Sequence, residues 1–413
     1  MDRECWDVII IGGGASGITA SVFAARKGCK VLVLEQKEIP CKKINATGNG
    51  KCNFTNRVWK KADFRGNHPE LAFAVLERFP LENTLSFFRE IGIYPKERNG
   101  YFYPNSEQAS SVSRALLKEA ERFGVNLLVN HKVTDLKKNA SGTYLVSCGK
   151  EQFLSKSVVL ATGGKASPVH GSDGSGYPFA KTFGLRLAPV LPAIVQLQGE
   201  GYYFEALAGV RTDGKITLHV EDEQYSESGE LLFASYGISG IPVMQVSRYA
   251  SAGLYEGKNV NAELDLFPGL SEQDLLTEIS QRMQRFSLEG AANALNGLCN
   301  TKLAAVLLSR VGISKKESAG NITNEIQKEL VYTMKHFCFK ITATNGFENA
   351  QACAGGVLLS ELNSNLESEK NPGLFVIGEL ADVDGNCGGY NLQWAWSSGA
   401  VVGKELADRY GTD

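Results

Sequence analysis

Three glycines near the start of the chain have the spacing of a phosphate-binding turn. Gly12, Gly14 and Gly17 follow a G-x-G-x-x-G pattern. In such a turn the first glycine permits a tight bend, the second lets the backbone approach a pyrophosphate, and the third lets a helix pack closely on a strand. The N-terminus of that helix presents free N–H groups and a positive dipole end to the phosphates. The pattern predicts a dinucleotide site, which we extend to the neighbouring Ala15 and Ser16.

An acidic residue follows at the distance that adenosine recognition requires. Glu35 lies 23 residues after Gly12, at the end of a second apolar run. A carboxylate in this position accepts hydrogen bonds from the ribose of an adenosine whose 2′-hydroxyl is unsubstituted. The predicted site therefore includes Glu35 and the adjacent Gln36.

The surrounding pattern agrees with this interpretation. Val8–Ile11 are four consecutive apolar residues, which predict a strand buried on both faces. Ile18, Val22 and Ala25 have helical spacing, and Val31–Leu34 predict a second buried strand. Glycine-rich turns also occur for steric reasons alone. Here the strand, helix, second strand and acidic residue together favour a nucleotide-binding βαβ unit.

Length and composition narrow the class of protein. The 413 residues exceed one hydrophobic core, so we expect two or three domains. The net charge of −2 argues against a nucleic-acid partner and leaves a small-molecule substrate. The nine cysteines contain no C-x-x-C pair and the five histidines lack ligand spacing, so neither disulfides nor a metal is indicated. No run approaches the roughly 20 apolar residues of a membrane span, and we expect a cytoplasmic protein.

The residue patterns predict an α/β domain that is interrupted by an insertion. Residues 1–190 and 340–413 contain buried strands alternating with helical segments. Residues 191–268, with about 330–340, show short alternating stretches separated by turn signals, which predict an antiparallel β domain. Residues 269–330 are predicted to form a small helical domain.

The segment KKINATGNGKCNFTN, Lys42–Asn56, is rich in Gly, Asn and Thr. It has no helical or strand period, so we predict a long loop. Because it follows the ribose-binding strand, its backbone amides and polar side chains are expected to wrap the same cofactor. A plain surface loop is the alternative. Cys52 is the cysteine that we expect to lie nearest to the cofactor.

A second cofactor-binding segment is predicted near the end of the chain. Leu374–Ile377 have the pattern of a buried strand, and a long helix is predicted from Tyr390. A chain with a single nucleotide fingerprint suits a tightly held FAD. In that interpretation Glu379 and Asp384 reach sugar or ribityl hydroxyls. The helix N-terminus at Asn391 then points at the flavin, where its dipole favours negative charge on the ring. An ordinary helix start after a glycine turn is the alternative.

Seven motifs together resemble one family. They are IIGGGASG, ATGNGKCNFTN, GYFYPNSEQAS, LATGG, YGISGIP, AGGV and GELADVDGNCGGYNLQWAWSSG. The set is similar to the family of bacterial FAD oxidoreductases that includes 3-dehydro-bile-acid Δ4,6-reductases and aminoacetone oxidases, and it spans nearly the whole chain. The resemblance implies a glutathione-reductase-like FAD-binding Rossmann domain, discontinuous in sequence, with an inserted barrel-like antiparallel β domain and a small helical domain.

The resemblance also implies flavin contacts beyond the glycine turn and Glu35. They are Thr47, Gly48, Asn49, Gly50, Lys51, Cys52, Asn53, the backbone of Val133, Ala161, Thr162, Gly163, Gly378, Glu379, Asp384, Gly388, Gly389, Asn391, Leu392 and Gln393. The sequence departs from the family pattern at three positions. Lys51 stands where Arg is common, Tyr101 where a basic residue is common, and Ser235 where His or Glu often appears. The last two positions leave the substrate undetermined.

Three functions fit such a cofactor site. The favoured one is a reductase in which NAD(P)H binds transiently and hydride passes through FAD to a C=C bond conjugated to a ketone, as in a steroid or bile-acid intermediate. That reaction needs a proton donor and a carbonyl clamp. Tyr177 and Tyr390, both beside glycines, are the candidates, with a structural role as the alternative for each. Oxidation of an amine such as aminoacetone by O₂ is the second function, and a non-catalytic flavin redox sensor is the third.

Overall fold

A computed structural model describes residues 5–412 of the chain. They fall into two compact units, one made of the residues up to Pro192 together with those from Gln351 onward, and the other of Ala193–Ala350. The strands are β1 (Cys5–Ile11), β2 (Val31–Leu34), β3 (Thr55–Asn56), β4 (Phe64–Arg65), β5 (Pro95–Arg98), β6 (Tyr101–Pro104), β7 (Asn126–Leu128), β8 (Asp135–Lys138), β9 (Tyr144–Cys148), β10 (Glu151–Leu160), β11 (Leu187–Ala193), β12 (Leu197–Gly199), β13 (Arg211–Val220), β14 (Glu223–Ala234), β15 (Gly237–Ser239), β16 (Val260–Asp265), β17 (Phe337–Thr344), β18 (Ala352–Val357), β19 (Leu374–Val376) and β20 (Asp384–Gly385). The α-helices are α1 (Ala15–Ala25), α2 (Lys42–Ala46), α3 (Pro69–Arg78), α4 (Leu81–Glu90), α5 (Ala109–Arg122), α6 (Gly176–Thr182), α7 (Tyr203–Leu207), α8 (Ile241–Tyr255), α9 (Glu272–Arg285), α10 (Ala291–Ala294), α11 (Thr301–Arg310), α12 (Asn324–Lys335), α13 (Gly346–Asn349) and α14 (Tyr390–Tyr410).

The first unit is built on a mixed sheet with strand order β7-β2-β1-β10-β9-β8, to which β19 adds beside β10. β7, β2, β1, β10 and β19 are parallel to one another. Their last residues are in register, with Leu128 beside Leu34, Leu34 beside Ile11, Ile11 beside Leu160 and Leu160 beside Val376. The carboxyl ends of these strands therefore form one edge, which is where open α/β sheets bind ligands. The predicted Rossmann fold is confirmed.

Helices α1 and α14 pack in close contact because glycine replaces side chains between them. A Cβ atom on Gly399 would lie 2.5 Å from the Ser16 carbonyl oxygen, and one on Gly403 would lie 2.6 Å from the Ala20 carbonyl oxygen. Any larger residue would push the two backbones apart. This contact fixes α14 against the helix that starts at the glycine turn.

The second unit is organised around a closed barrel with strand order β12-β15-β14-β13-β16-β17. All of its pairings are antiparallel. Helices α9 to α12 follow β16 in the chain and belong to the same unit. The antiparallel β domain and the helical stretch predicted from sequence are both present.

Two parts of the fold differ from the sequence predictions. Lys42–Asn56 is not a plain loop, because α2 begins after Cys41, which takes a left-handed φ of 56°, and buries Ile44. α8 lies within the stretch that was predicted to be all strand. Its Val243, Val246 and Ala250 are buried at helical spacing, a signal that the alternating residues around it concealed.

The second segment of the first unit also starts later than the expected residue 340. That position lies inside β17, whose residues pair with β12 and β16 and complete the barrel. The first unit resumes at Gln351. Within residues 5–412, no helix is both long and apolar enough to cross a bilayer.

Candidate functional site

A cleft opens at the carboxyl edge of the parallel sheet in the first unit. Its cavity volume is about 180 Å³, and it is open to solvent. Of the residues predicted from sequence, it is lined by Gly12, Gly14, Ala15, Ser16, Glu35, Gln36, Thr47, Val133, Ala161, Thr162, Gly163, Glu379, Asn391 and Leu392. The folded chain thus brings the first glycine turn, the end of β2, the loop after β10 and the start of α14 to one place.

The glycine turn at the cleft has the geometry that its spacing predicts. Gly12 has a φ of 111°, and a Cβ there would lie 2.4 Å from the Ala161 carbonyl oxygen. A Cβ on Gly17 would lie 2.0 Å from the Gly12 carbonyl oxygen. A Cβ on Gly14 would meet nothing within 4 Å, so the space beside this residue is open. Gly14 precedes α1, whose N-terminus has no side-chain cap and no acidic residue in its first turn, and this leaves an anion-binding end.

Glu35 is buried at the end of β2 with its carboxylate fixed by backbone donors. Its Oε2 accepts a hydrogen bond from the Gly13 N–H at 2.7 Å, and its Oε1 accepts one from the Lys37 N–H at 2.7 Å. Each carboxylate oxygen keeps a further lone pair, which a ribose hydroxyl can use. Gln36 beside it donates from Nε2 to the Gly171 carbonyl oxygen at 2.6 Å. These contacts fit the adenosine role that was predicted for Glu35.

Lysines supply positive charge to the cleft. Lys42, Lys43 and Lys132 line it. Lys43 Nζ lies 2.7 Å from Glu379 Oε2, and Glu379 Oε1 accepts a hydrogen bond from the Cys353 N–H at 2.8 Å. Glu379 was predicted to reach sugar or ribityl hydroxyls, and it does face the cleft, with each of its oxygens held by one partner within the chain and keeping a further lone pair. The sequence argument missed Lys43 because its partner lies 336 positions away.

A histidine in the cleft is kept neutral by its surroundings. His170 lines the cleft, and its Nδ1 lies 2.7 Å from Ser167 Oγ. Burial lowers the pKa of His170, and the neighbouring Lys42 and Lys43 lower it further. His170 therefore adds no positive charge at neutral pH, and the lysines are the groups that favour a diphosphate here.

The start of α14 forms another wall of the cleft. Gly389 precedes it with a φ of 92°, and the helix has neither a side-chain cap nor an acidic residue in its first turn. Asn391 closes the preceding turn, because its Oδ1 accepts from the Gly385 N–H at 2.9 Å and its Nδ2 donates to the Gly385 carbonyl at 2.9 Å. Leu392 and Ala395 line the cleft. The positive end of α14 is thus available to an electron-rich ring.

Other predicted cofactor residues do not line this cleft. They are Gly17, Gly48, Asn49, Gly50, Lys51, Cys52, Asn53, Gly378, Asp384, Gly388, Gly389 and Gln393. Lys51 forms an ion pair with Glu107 at 3.1 Å. Cys52 is fully buried, and burial raises the pKa of its thiol to about 12, so it is an unreactive thiol.

Gln393 has a structural explanation for its position. Its side chain is completely buried, and its Oε1 accepts from Thr55 Oγ1 at 2.6 Å. Its Nε2 donates to Thr84 Oγ1 at 2.8 Å and to Ser397 Oγ at 2.9 Å. These contacts tie α14 to β3 and α4 and leave the amide no hydrogen-bonding group for a flavin.

Asn53, unlike Gln393, has a buried side-chain oxygen without a partner in the described part of the chain. Its Oδ1 is buried and has no hydrogen-bond partner among the described residues. The atom lies beside the start of α14, since a Cβ on Gly389 would be 2.8 Å from it. A buried acceptor without a donor is costly, so the site fits a ligand that brings an N–H group.

The two tyrosines proposed as proton donors occupy different surroundings. Tyr177 lies on α6 outside the cleft, and its buried hydroxyl has no hydrogen-bond partner among the described residues. Burial raises the pKa of Tyr177, and the nearby Cys353 and Glu379 raise it further. Tyr390 is the first residue of α14, and its hydroxyl donates to the Val58 carbonyl at 3.1 Å. Burial raises the pKa of Tyr390 to about 12.

Sequence reasoning missed several polar residues of the cleft. Besides the lysines, they are His131, His170, Ser172, Ser175 and Gln351. The glycine cluster Gly171–Gly176 was a usable signal, because a flexible turn that precedes a helix often marks a ligand contact. Its spacing differs from G-x-G-x-x-G, so the phosphate-turn pattern alone does not reveal it.

Comparisons with known proteins identify one matching family and relatives that align over nearly the whole chain. The model of the HI0933-like protein Rossmann domain family matches residues 6–405. The chain is 42% identical over 97% of its length, and 98% of the relative's, to the 3-dehydro-bile acid delta(4,6)-reductase of Clostridium scindens. It is 30% identical, over 98% of both chains, to the ribosomal RNA dihydrouridine synthase of Escherichia coli.

A solved structure shares the overall fold. The 3-ketosteroid delta1-dehydrogenase of Sterolibacterium denitrificans, in complex with 1,4-androstadiene-3,17-dione, aligns with a TM-score of 0.51. The alignment covers 98% of this chain and 100% of that one at 13% sequence identity. At this identity the likeness concerns the fold.

Proposed function

The chain belongs to the HI0933-like protein Rossmann domain family and is an FAD-dependent oxidoreductase, and we propose that it reduces a C=C bond conjugated to a ketone in a steroid or bile-acid intermediate. The family resemblance drawn from its motifs is confirmed. The observation that carries the proposal is the 42% identity to a bile acid delta(4,6)-reductase, which extends over 97% of the chain and so through both units.

The residues of the cleft fit FAD, part by part. The side chain of Glu35 would hold the adenosine ribose, and the start of α1 would face the diphosphate. Lys42 adds positive charge nearby, and Lys132 also lines the cleft, with its Nζ 3.2 Å from Asp173 Oδ2. We place the flavin ring toward the start of α14, whose uncapped N-terminus would face it. FAD bound in this way supplies the hydride-transfer chemistry of the reaction.

The hydride and the proton of the proposed reaction can each be accounted for. NAD(P)H gives up one hydride and becomes NAD(P)⁺, one carbon of the double bond gains that hydride, and the neighbouring carbon gains a proton. The proton must come from a group on the chain or from water. Tyr177 and Tyr390 remain our candidates, although neither lines the cleft; a tyrosine hydroxyl is protonated at neutral pH whether or not its pKa is raised.

The second relative supports the same reaction class. Forming dihydrouridine from uridine also reduces a C=C bond conjugated to a carbonyl, so the names of both relatives describe one type of bond reduction. A uridine in RNA is therefore the second candidate substrate. The net charge of −2 gives no broad positive field for a polyphosphate backbone and favours the small molecule.

The experiment is an anaerobic assay with the FAD-loaded full chain. NADH or NADPH is mixed with a 3-oxo-4,6-diene bile acid, and loss of the reduced nicotinamide is followed together with the product mass. We expect donor oxidation that depends on the steroid and a product with two more hydrogen atoms. The saturated 3-oxo acid is the matched control and should give no turnover.

Parallel assays with other substrates give the outcomes that contradict the proposal. Bleaching by aminoacetone with peroxide release in air indicates an amine oxidase. Turnover of a uridine-containing ribosomal RNA, but not of the steroid, indicates the second candidate. If no donor reduces the flavin, the result favours the third function, a non-catalytic redox sensor. Tyr177→Phe and Tyr390→Phe are then compared by the pH dependence of kcat, because loss of a proton donor changes that profile while a packing defect lowers thermal stability.

A further inference from the structure

A second cleft lies within the Ala193–Ala350 unit, between α7, α10 and α11. It encloses about 620 Å³, which is inside the range of about 300–1,000 Å³ typical of small-molecule sites. We name it the α11 cleft. It shares no residue with the cofactor cleft, and enone reduction as proposed above assigns it no role.

Small side chains create this space. Thr301, Ala305 and Ser309 are four residues apart along α11 and line the cleft on one face of that helix. Ala206 of α7 and Ala292 of α10 line it from the other helices. The opposite face of α11 is buried in the core of the unit, so the helix is held firmly while its small residues leave a hollow.

The α11 cleft has a marked excess of positive charge. Lys302, Arg310 and Lys315 line it, and no aspartate or glutamate does. Lys302 Nζ donates to the Ala208 carbonyl at 3.0 Å, and the Arg310 guanidinium donates to the Cys338 carbonyl at 3.2 Å. Carbonyl oxygens position these cations without neutralising them. Within residues 5–412, none of the three forms an ion pair, so the cleft attracts an anion.

An exposed aromatic ring stands at the same cleft. Tyr202 is 86% exposed, which is unusual for a large ring that has an apolar face. Its neighbour Tyr203 packs edge-on against it with the ring centroids 6.0 Å apart, and the Arg310 guanidinium lies 5.1 Å from the Tyr203 ring. A ring held in this way offers a stacking surface to a planar group. The side chains of Asn293 and Asn296 also line the cleft and can donate and accept hydrogen bonds.

We propose that the α11 cleft binds a nucleoside phosphate. The base would stack on Tyr202 with its edge toward Asn293 and Asn296, and the phosphate would lie among Lys302, Arg310 and Lys315. A phosphate uses several cations at once, whereas the carboxylate of a steroid acid needs only one, so the three positive side chains favour the nucleotide. A free mononucleotide and a nucleotide of an RNA strand present the same chemistry.

The test is calorimetric titration of the FAD-loaded full chain, so that the cofactor cleft is filled. AMP, UMP, inorganic phosphate, cholate and a short oligouridylate are the probes. We expect AMP and UMP to bind at least tenfold more tightly than inorganic phosphate. Tyr202→Ala should weaken mononucleotide binding about tenfold and leave phosphate binding unchanged, because the stacking surface alone is lost.

Charge variants locate the binding. Lys302→Glu should weaken mononucleotide binding at least tenfold, while Lys328→Glu, an exposed lysine of the same unit that does not line the cleft, should leave it unchanged. If Lys302→Glu fails to fold, Lys315→Glu serves in its place. An oligouridylate that binds more tightly than UMP identifies RNA as the source, and equal affinity identifies the free nucleotide. The proposal is overturned if neither mononucleotide binds, if binding is the same in all cleft variants, or if only cholate binds.

Discussion

Glu35 is the side chain on which, in the proposed function, adenosine binding depends most directly. Its two oxygens each accept one backbone N–H, so the carboxylate points in one fixed direction before any ligand arrives. A preorganised acceptor loses little conformational entropy on binding. A residue that must bind two ribose hydroxyls and also keep two backbone donors satisfied has to be a carboxylate.

Glu35→Gln tests this role. The amide has a single acceptor oxygen, and its NH₂ group would face a backbone N–H, so we expect FAD affinity to fall at least tenfold while the fold is kept. Fluorescence titration of the apoprotein with FAD measures the change. Glu38→Gln is the matched control, since Glu38 is exposed and does not line the cleft. Equal affinity in the two variants would remove Glu35 from the site.

A substitution at Gln393 distinguishes a structural role of this side chain from a role in binding FAD. Gln393→Ala leaves the buried Thr55 and Thr84 hydroxyls without their partner, which should lower the free energy of unfolding by about 3 kcal/mol. Urea denaturation of the apoprotein measures this, with the exposed Gln273→Ala as control. Unchanged stability together with lost FAD binding would instead restore the flavin contact that was predicted from sequence.

At the scale of elements, the contact between α1 and α14 connects the glycine turn to the C-terminal helix. The two helices touch backbone to backbone at Gly399 and Gly403. Because α1 begins at the glycine turn and α14 begins at another wall of the cleft, their packing sets the width of the cofactor site.

Gly403→Ala should disturb this packing. The new Cβ would lie 2.6 Å from the Ala20 carbonyl oxygen, so the helices must separate, at a cost of about 1–3 kcal/mol. We expect a lower melting temperature and weaker FAD retention after gel filtration. Asp408→Ala, an exposed change on the same helix, should alter stability by no more than about 0.5 kcal/mol. A Gly403→Ala protein as stable as the control would show that α14 can shift freely.

A histidine next to the barrel gives the second unit a pH dependence. His336 Nδ1 lies 3.0 Å from Glu263 on β16, and its Nε2 lies 3.2 Å from Glu272, the first residue of α9. Burial lowers the pKa of His336, but the hydrogen bonds to the two glutamates outweigh this and raise it above 6.5. A raised pKa in the folded state stabilises the fold below the unfolded pKa and stops doing so as the pH rises through the folded value.

We therefore expect the stability of wild type to fall more steeply than that of His336→Gln between about pH 6 and pH 8. Urea midpoints at several pH values measure the difference. His68→Gln removes a histidine at the start of α3 in the first unit and should keep the wild-type slope. Equal slopes for His336→Gln and wild type would mean that the two glutamates do not retain its proton.

Across the whole molecule, features that depend on local sequence patterns could be predicted, whereas features that depend on contacts between distant residues could not. Val8–Ile11 and the glycine spacing sufficed for the Rossmann unit, because an all-apolar strand followed by a tight turn is a local requirement. The Lys43–Glu379 pair and the Gln393–Thr55 contact could not be predicted, because the partners are hundreds of positions apart and meet only in the folded unit. The α2 helix was missed because its left-handed start at Cys41 depends on tertiary packing.

The boundaries between the two units also depend on contacts between residues distant in sequence. Alternating stretches predicted antiparallel strands and assigned about 330–340, beyond the helical segment, to the same domain, but they did not predict that β17 extends to Thr344 and completes the barrel. Strand closure depends on pairing with β12 and β16, which no local period reveals. The expected boundary at residue 340 consequently fell inside a strand.

In the proposed function, FAD held at the carboxyl edge of the sheet delivers its electrons to the C=C bond of a conjugated ketone. The most direct measurement mixes the chemically reduced, FAD-loaded protein with one equivalent of a 3-oxo-4,6-diene bile acid under anaerobic conditions and follows the visible flavin absorbance. We expect full return of the oxidised spectrum and one equivalent of a product with two more hydrogen atoms. A flavin that stays reduced with this acceptor, and regains colour only when air is admitted, would contradict it.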